Sequence, residues 1–281
     1  MRRKNAAISE VAFLGPLGTY SHLVAEAYYG RNHRMVPLPT ILDVCSFVAK
    51  SPARRGVVPI ENSSGGEIYE TVDILLANKP RIYIEAELAL EVQLALLGHR
   101  GWKIKTLHSH FAPLEHCASW LKRHLPHAQR HVVASTAQAA LQAMGDLNAA
   151  ALGNRRLARI YRLDILKYPV QSDVKNLTIF LAISGRKIAG KTGDKTTLAV
   201  RLPNKPGSLC TFLEAFRNAG VNLSRIISRP IRGRPRQYAF LVDIEGAPAQ
   251  SAVARALADA KTAADELRIV GCYPCHRPYR F

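Results

Sequence analysis

Short apolar runs alternate with helical patterns along the first part of the chain. Strands are predicted over residues 11–14, 35–38, 56–60, 104–107, 131–134 and 149–152, and helices over residues 21–29, 41–50, 67–77, 113–124, 136–144 and 157–161. This alternation indicates βαβ units and a largely parallel sheet. A longer strand-like stretch over residues 82–97 separates the two series. We therefore expect two α/β lobes, with the chain returning near the crossover through residues 176–183 and a ligand cleft between the lobes.

A polar, glycine-bearing stretch follows and is typical of a linker. Beyond it, strands are predicted over residues 196–202, 221–231, 237–245 and 266–273, and helices over residues 208–219 and 249–260. The order βαββαβ is that of a ferredoxin-like sandwich. The predicted division is a two-lobed α/β domain in residues 1–184, a linker in residues 185–195 and a small α+β regulatory or binding domain in residues 196–281.

The composition changes this picture mainly through its charge. Apolar residues at 48% and charged residues at 21% are typical of a globular enzyme or binding protein and exclude a disordered chain. The formal net charge is +18. Because the basic residues are scattered rather than gathered into a tail, we expect anionic small molecules as partners, and not nucleic acid.

We expect the chain to stay in the cytoplasm. The apolar stretch after residues 1–4 is interrupted by Ser9 and Glu10, and no run approaches the roughly 20 apolar residues of a membrane span. Five cysteines do not form a secreted disulfide framework. Cys272 and Cys275 have CxxC spacing, but a single pair lacks the second pair of a structural zinc site. Neither a metal nor a cofactor is expected, and the C-terminus is expected to be frayed.

Polar clusters in distant segments are candidates for one site. The Thr178 hydroxyl stands at the start of the strand-like run 179–183. The glycine-rich segment 15–21 offers backbone N–H groups and two hydroxyls, Thr19 and Ser21, at the start of a helix, where a carboxylate is favoured. The alternative is a tight turn with Ser21 as a helix cap.

Two further clusters follow predicted strands. Glu61, Asn62 and Ser63 end one strand, where polar side chains project into a cleft, although turn chemistry before Gly65 explains them equally. Ser109 and His110 follow another strand at a cleft edge, where surface histidines are commoner than ligand-binding ones.

These segments carry a resemblance to a known family over essentially the whole chain. The motifs are Gly15-Pro16-Leu17-Gly18-Thr19-Tyr20-Ser21, Pro59-Ile60-Glu61-Asn62-Ser63, Ser109-His110 with Cys117, Asn176-x-Thr178-x-Phe180, Pro206-Gly207-Ser208-Leu209 and Ser228-Arg229-Pro230. Their order and spacing resemble prephenate dehydratases with a C-terminal ACT domain.

The resemblance implies a periplasmic-binding-protein-like catalytic domain and a lyase that converts prephenate to phenylpyruvate, water and CO2 in phenylalanine biosynthesis. It implies Thr178 as the catalytic proton donor and a dimer or tetramer regulated by phenylalanine. The implied substrate-binding residues are Thr19, Tyr20, Ser21, Glu61, Asn62, Ser63, Ser109, His110, Asn176 and Phe180. The implied effector-binding residues are Pro206, Gly207, Ser208, Leu209, Ser228, Arg229 and Pro230.

Three departures from the family pattern keep other functions open. Ile179 stands where the family box has arginine, which removes a guanidinium suited to a carboxylate. His116 stands where a glutamine is usual, and Ile227 replaces the glutamate of the second effector segment. The alternatives are arogenate as substrate, decarboxylation of prephenate without aromatisation, and a catalytically inactive amino-acid sensor.

Overall fold

The computed structural model describes residues 10–30, 32–63, 65–170, 175–187, 192–231 and 233–281. The elements as far as the return from the second lobe are β1 (Glu10–Leu14), α1 (Tyr20–Tyr29), β2 (Arg34–Leu38), α2 (Ile41–Ala49), β3 (Arg54–Asn62), β4 (Gly66–Glu67), α3 (Tyr69–Ala77), β5 (Tyr83–Glu91), β6 (Ala95–Gly98), β7 (Thr106–Ser109), α4 (Phe111–His116), α5 (Ala118–His124), β8 (Gln129–Val132), α6 (Thr136–Met144), β9 (Ala149–Gly153), α7 (Arg156–Ile160) and β10 (Asp164–Lys167). They continue with β11 (Leu177–Ser184), β12 (Lys195–Arg201), α8 (Ser208–Ala219), β13 (Leu223–Pro230), β14 (Tyr238–Glu245), α9 (Ser251–Thr262), β15 (Glu266–Tyr273) and β16 (Cys275–Tyr279).

Helix starts follow the capping signals in the sequence. The hydroxyls of Thr19, Thr40 and Ser135 each accept a hydrogen bond from a backbone N–H in the first turn of α1, α2 and α6. Such a bond satisfies a donor that the helix itself leaves unpaired. The boundaries predicted from periodicity therefore agree closely with the structure at these three helices.

The first lobe is built on a sheet of order β16-β5-β11-β3-β1-β2, with β4 paired to β3. The strands β1, β2 and β3 are parallel, whereas β11 runs antiparallel to both β3 and β5. The second lobe has a sheet of order β10-β6-β9-β7-β8, also mixed. The prediction of a largely parallel sheet was therefore wrong, because the strands at each crossing between lobes run against their neighbours.

The C-terminal domain is a four-stranded antiparallel sheet of order β13-β14-β12-β15 with α8 and α9 on one face. This arrangement confirms the predicted ferredoxin-like sandwich. Its other face packs on the first lobe, since Ala199, Ile227, Leu241 and Val270 share a buried core with Leu181 and other first-lobe residues. The two α/β lobes and this sheet together confirm the predicted fold class.

The chain ends in a strand and not in a frayed segment. Strand β16 leaves the C-terminal domain and pairs in parallel with β5 of the first lobe. Just before it, Gly271 of β15 lies close to the start of β5, where a Cβ would lie 2.5 Å from the Ile84 carbonyl oxygen. The last residues thus tie the C-terminal domain to the first lobe.

Two other predicted elements need correction, one strand was missed, and two predicted ranges lie wholly or partly outside the described residues. The stretch 82–97 is two strands in different sheets, the predicted helix 113–124 divides at Cys117 into α4 and α5, and β10 was not predicted. The N-terminal residues 1–9 and residues 188–191 of the predicted linker lie outside the described part. Within the described ranges no helix is long and apolar enough to cross a membrane, and no group of three or more acidic, histidine or cysteine side chains is placed to hold a metal ion.

Candidate active site

The Thr178 hydroxyl lies on β11, beside the antiparallel strand β3. Thr178 at the start of β11 lies directly opposite Asn62 at the end of β3. The Asn62 amide nitrogen Nδ2 donates hydrogen bonds to Thr178 Oγ1 and to Asn176 Oδ1, each at 2.8 Å. An amide nitrogen only donates, so the Thr178 oxygen is the acceptor. The Thr178 proton is therefore not used in this bond and remains available to a ligand.

A histidine from the second lobe continues this set of hydrogen bonds. Asn176 Nδ2 lies 2.7 Å from Nδ1 of His116, a residue of α4 that is 3% exposed. Because the amide donates, Nδ1 must accept, which requires the neutral imidazole. Burial lowers the pKa of His116, with the Glu115 carboxylate acting in the opposite direction. The sequence marked His116 only as a departure from the family pattern, whereas the structure places it in the site.

Substitution of His116 by glutamine should remove a pH dependence. In the wild type, activity should fall as pH drops from the ordinary value of 6.5 through the lower folded pKa of His116, because the protonated ring cannot accept from Asn176. The unfolded chain binds this proton more readily, so the stability contribution is also complete above that window and is lost as pH falls through it. A glutamine oxygen can accept from Asn176 and does not titrate. Rates between pH 5 and 8 for both proteins test this, and an unchanged acid limb in His116→Gln would contradict it.

Ser63 and the Asn62 oxygen fix the local backbone. Ser63 Oγ accepts from Leu177 N at 2.9 Å and donates to the Lys175 carbonyl at 3.2 Å. Asn62 Oδ1 accepts from Gly65 N at 2.9 Å. The turn chemistry considered from sequence is therefore present, and it holds the same amide that contacts Thr178.

The glycine-rich segment joins the two lobes. Gly18 has a φ of +86°, and a Cβ there would lie 2.7 Å from Leu157 in α7. Its carbonyl accepts from the buried Asn154 of the second lobe at 2.7 Å, and its N–H donates to Nδ1 of His22 at 3.0 Å. That N–H, a predicted carboxylate donor, is thus already paired within the chain. Asn154 and His22 were not singled out from sequence.

The hydroxyls of this segment have structural partners. Thr19 donates to the Leu14 carbonyl and accepts from His22 N, and Ser21 is buried in the first turn of α1. The Tyr20 hydroxyl donates to the Gln93 carbonyl at 3.2 Å, where the chain crosses between lobes, and burial raises its pKa. Thr19, and not Ser21, is the helix cap.

Ser109 and His110 lie at the end of β7 in the second lobe. Ser109 is fully buried, and in the described part of the chain its hydroxyl oxygen has no hydrogen-bond partner. His110 caps α4 by accepting from Ala112 N at 3.4 Å, its ring lies against Phe111, and burial lowers its pKa. The helix that His110 starts is the helix that carries His116.

Two predicted substrate-binding side chains point elsewhere. Phe180 is 2% exposed and packs in the core of the first lobe. Glu61 lies opposite Ile179, and its carboxylate accepts from the Arg225 guanidinium of β13 at 2.6 Å. Since neighbouring residues of a strand face opposite sides, position 179 faces the C-terminal domain together with Glu61. An arginine at position 179 would therefore not face the same side of the strand as Thr178, and its absence removes no positive charge from that side.

The predicted effector residues lie on α8 and β13. Gly207 precedes α8 with a φ of +83°, flanked by Pro206, Ser208 and Leu209, and Leu209 packs on the core of its own domain. Ser228 and Pro230 are exposed on β13. Arg229 donates to both Asp73 carboxylate oxygens at 2.6 and 2.9 Å, and lies over the Tyr69 ring. Ile227 is buried against the first lobe.

This architecture, two α/β lobes with a site at their junction and a ferredoxin-like domain packed on one lobe, defines a ligand-binding or catalytic protein with an attached regulatory module. Residues 11–188 match the prephenate dehydratase family and residues 196–262 match the ACT domain. The chain belongs to the prephenate dehydratase family and carries a C-terminal ACT domain, which confirms the resemblance seen in its motifs.

Known proteins of this family are similar along nearly the whole chain. The bifunctional chorismate mutase/prephenate dehydratases of Aquifex aeolicus and Pseudomonas aeruginosa are 34% and 33% identical, over 94% of this chain and 73% of each relative. The structure of prephenate dehydratase from Arthrobacter aurescens in complex with L-Phe has a TM-score of 0.83 at 30% identity, covering 94% of this chain and 90% of that one. A structure described as GqqA, a novel type of quorum quenching acylases, has a TM-score of 0.85 at 27% identity, covering 95% and 98%.

Proposed function

We propose that this chain binds prephenate between its lobes and converts it to phenylpyruvate, water and CO2, with Thr178 as the proton donor. The observation that carries the proposal is the hydrogen bond from Asn62 to Thr178, which leaves the Thr178 proton free to donate. The membership of the chain in the prephenate dehydratase family supports the same substrate.

The reaction needs one proton at one position. The ring carboxylate leaves as CO2, and the electron pair of the broken C–C bond enters the ring. The C–O bond to the ring hydroxyl breaks, and that oxygen takes a proton to leave as water. A donor placed at the leaving oxygen contributes about 10²–10⁴-fold, while aromatisation supplies most of the driving force. Thr178 then regains its proton from water.

The residues around Thr178 hold it in place. Asn62 fixes the direction of the hydroxyl, Asn176 and His116 fix Asn62, and Ser63 ties the two strand ends together. Thr19, Tyr20, Ser21, Ser109 and His110 lie on segments of the two lobes that are expected to bind the substrate. Such pre-organisation lowers the entropy cost of reaching the reactive geometry.

We further propose that phenylalanine binds the ACT domain and inhibits, that the working form is a dimer or tetramer, and that the protein acts in the cytoplasm. The L-Phe complex of the Arthrobacter aurescens relative supports phenylalanine as the effector. An effector that prefers a less active state shifts the population toward it. The oligomer and the compartment come from the family resemblance and the sequence.

A turnover assay with parallel readouts tests the proposed function. Purified protein is given prephenate or arogenate, with and without phenylalanine, and both substrate loss and phenylpyruvate or phenylalanine formation are followed. Phenylpyruvate formed in step with prephenate loss is expected. Prephenate loss without phenylpyruvate would show decarboxylation without aromatisation, and turnover of arogenate alone would show the other dehydratase. No turnover with retained phenylalanine binding would show a sensor.

A further inference from the structure

An arginine of the ACT domain contacts the residue that precedes Asn62 in the chain. Arg225 on β13 donates to Glu61 Oε2 through Nε at 3.2 Å and Nη2 at 2.6 Å. Glu61 directly precedes Asn62, the residue that orients Thr178. The ACT domain thus contacts the residue next to the proposed active centre.

The backbone pairing between β3 and β11 changes register near the end of β3. Asn62 lies opposite Thr178 and Glu61 opposite Ile179, but the register shifts before Phe180, which lies opposite Pro59. A bulge of this kind interrupts the ladder and re-aims the side chains beside it. Glu61 and Asn62 lie beyond the bulge, where β11 and β4 pair with their backbones, and the Arg225 contact holds the Glu61 side chain.

Arg225 is itself rigidly held. Its side chain is 10% exposed and its Nη1 donates to Asp243, which is fully buried. Asp243 also accepts from Thr197 at 2.6 Å, and Glu87 lies 3.7 Å from Arg225 while accepting from Lys195. Glu61, by contrast, is 40% exposed. The guanidinium is therefore fixed within the ACT domain, and the Glu61 side chain is the partner that it holds.

The same strand carries the predicted effector segment. Two residues separate Arg225 from residues 228–230 on β13. A shift of β13 would therefore move Arg225 and the predicted effector segment together. We propose that Arg225 is a positioning residue that holds Glu61, and through it the Asn62 amide, and that this contact transmits effector binding at the ACT domain to Thr178. This inference rests on the proposed function and names the route of its regulation.

Matched variants test the proposed route. Glu61→Gln weakens the contact while Asp243 still pairs Arg225, so folding should be retained. Arg225→Gln removes the guanidinium but keeps an amide donor. Each variant should lower kcat on the order of 10- to 100-fold with little change in KM, because this is the scale expected when a reacting group is misplaced. Each variant should also weaken inhibition by phenylalanine. The double variant should be no worse than the worse single variant, because residues that act through one contact are not additive.

A second ion pair between the same two parts of the chain is the control. Asp73→Asn removes the Asp73–Arg229 pair, which joins α3 to β13 away from Asn62, and its basal kcat should equal that of the wild type. Effects of Glu61→Gln and Arg225→Gln that multiply, or a KM change alone, would overturn the inference, since they would indicate separate roles such as direct substrate contact by Glu61.

A readout without turnover separates this inference from the proposed reaction. The Gly65 N–H donates to Asn62 Oδ1 and the Ser63 N–H to the Leu177 carbonyl. Hydrogen exchange of both amides should be faster in Glu61→Gln and Arg225→Gln than in Asp73→Asn or the wild type. Unchanged exchange would overturn the inference even if prephenate is turned over. Faster exchange in a protein that does not turn over prephenate would contradict the proposed reaction but support the positioning role of Arg225.

Discussion

Replacing Thr178 with alanine should lower kcat for prephenate by about 10²–10⁴-fold, the contribution of a placed proton donor. The side chain is partly exposed at the strand end and accepts one hydrogen bond from Asn62. Its removal therefore leaves a vacancy that water can fill, and the Asn62 amide keeps Asn176 as a partner. Steady-state kinetics with thermal unfolding as the control for folding measures this effect.

Thr178→Ser is the matched variant, because it keeps the hydroxyl and removes only a methyl group. It should retain most of the activity that Thr178→Ala loses. Equal losses in both variants would assign the effect to packing, and near wild-type rates in Thr178→Ala would remove Thr178 from the mechanism.

The second large effect is expected from Asn62→Asp. This change is almost isosteric, but a carboxylate accepts where the amide donates. The Thr178 hydroxyl would then donate its proton to position 62, so the proton would no longer be available to the substrate. The new aspartate would also place a negative charge beside Asn176 Oδ1, which in the wild type accepts a hydrogen bond from Asn62. The expected loss of kcat is about 10²–10⁴-fold, the same contribution as that of Thr178.

Two comparisons make this result specific. Asn218→Asp introduces the same charge at an exposed site where the oxygen faces Arg217, and kcat should not change. Asn62→Asp combined with Thr178→Ala should be no slower than the slower single variant, because both remove one proton donor. A normal rate in Asn62→Asp would show that the direction of the Thr178 hydroxyl is not set by this amide.

Most of the secondary structure and the family were predictable from sequence because their signals are local. Periodicity placed α1, α2 and α6 within a residue or two, and the motif order identified the prephenate dehydratase family and the ACT domain. The strands that cross between the lobes were harder to predict, because an apolar run does not indicate which sheet a strand joins or in which direction it runs. The division of 82–97 into β5 and β6 and the mixed sheets were missed for that reason.

The candidate site was predictable in its residue types but not in its contacts. Asn62, Asn176 and Thr178 were expected together, and the structure brings them together. His116 had no local signal for its bond to Asn176, because that partner lies 60 residues away in sequence. The substrate-binding roles of the remaining candidates stay predictions that the variants above and direct binding can test.

The sequence by itself determined most of the helices and strands, the two family matches and the residue types of the Thr178 box, because these depend on neighbours along the chain. Only the tertiary structure decided that Glu61 and Ile179 face the ACT domain, that Arg229 pairs with Asp73, and that the C-terminal strand joins the first lobe. Which face of a strand a side chain occupies depends on register, and a bulge lies next to Glu61. Register is set by pairing with distant segments, so it becomes visible only when those segments are in place.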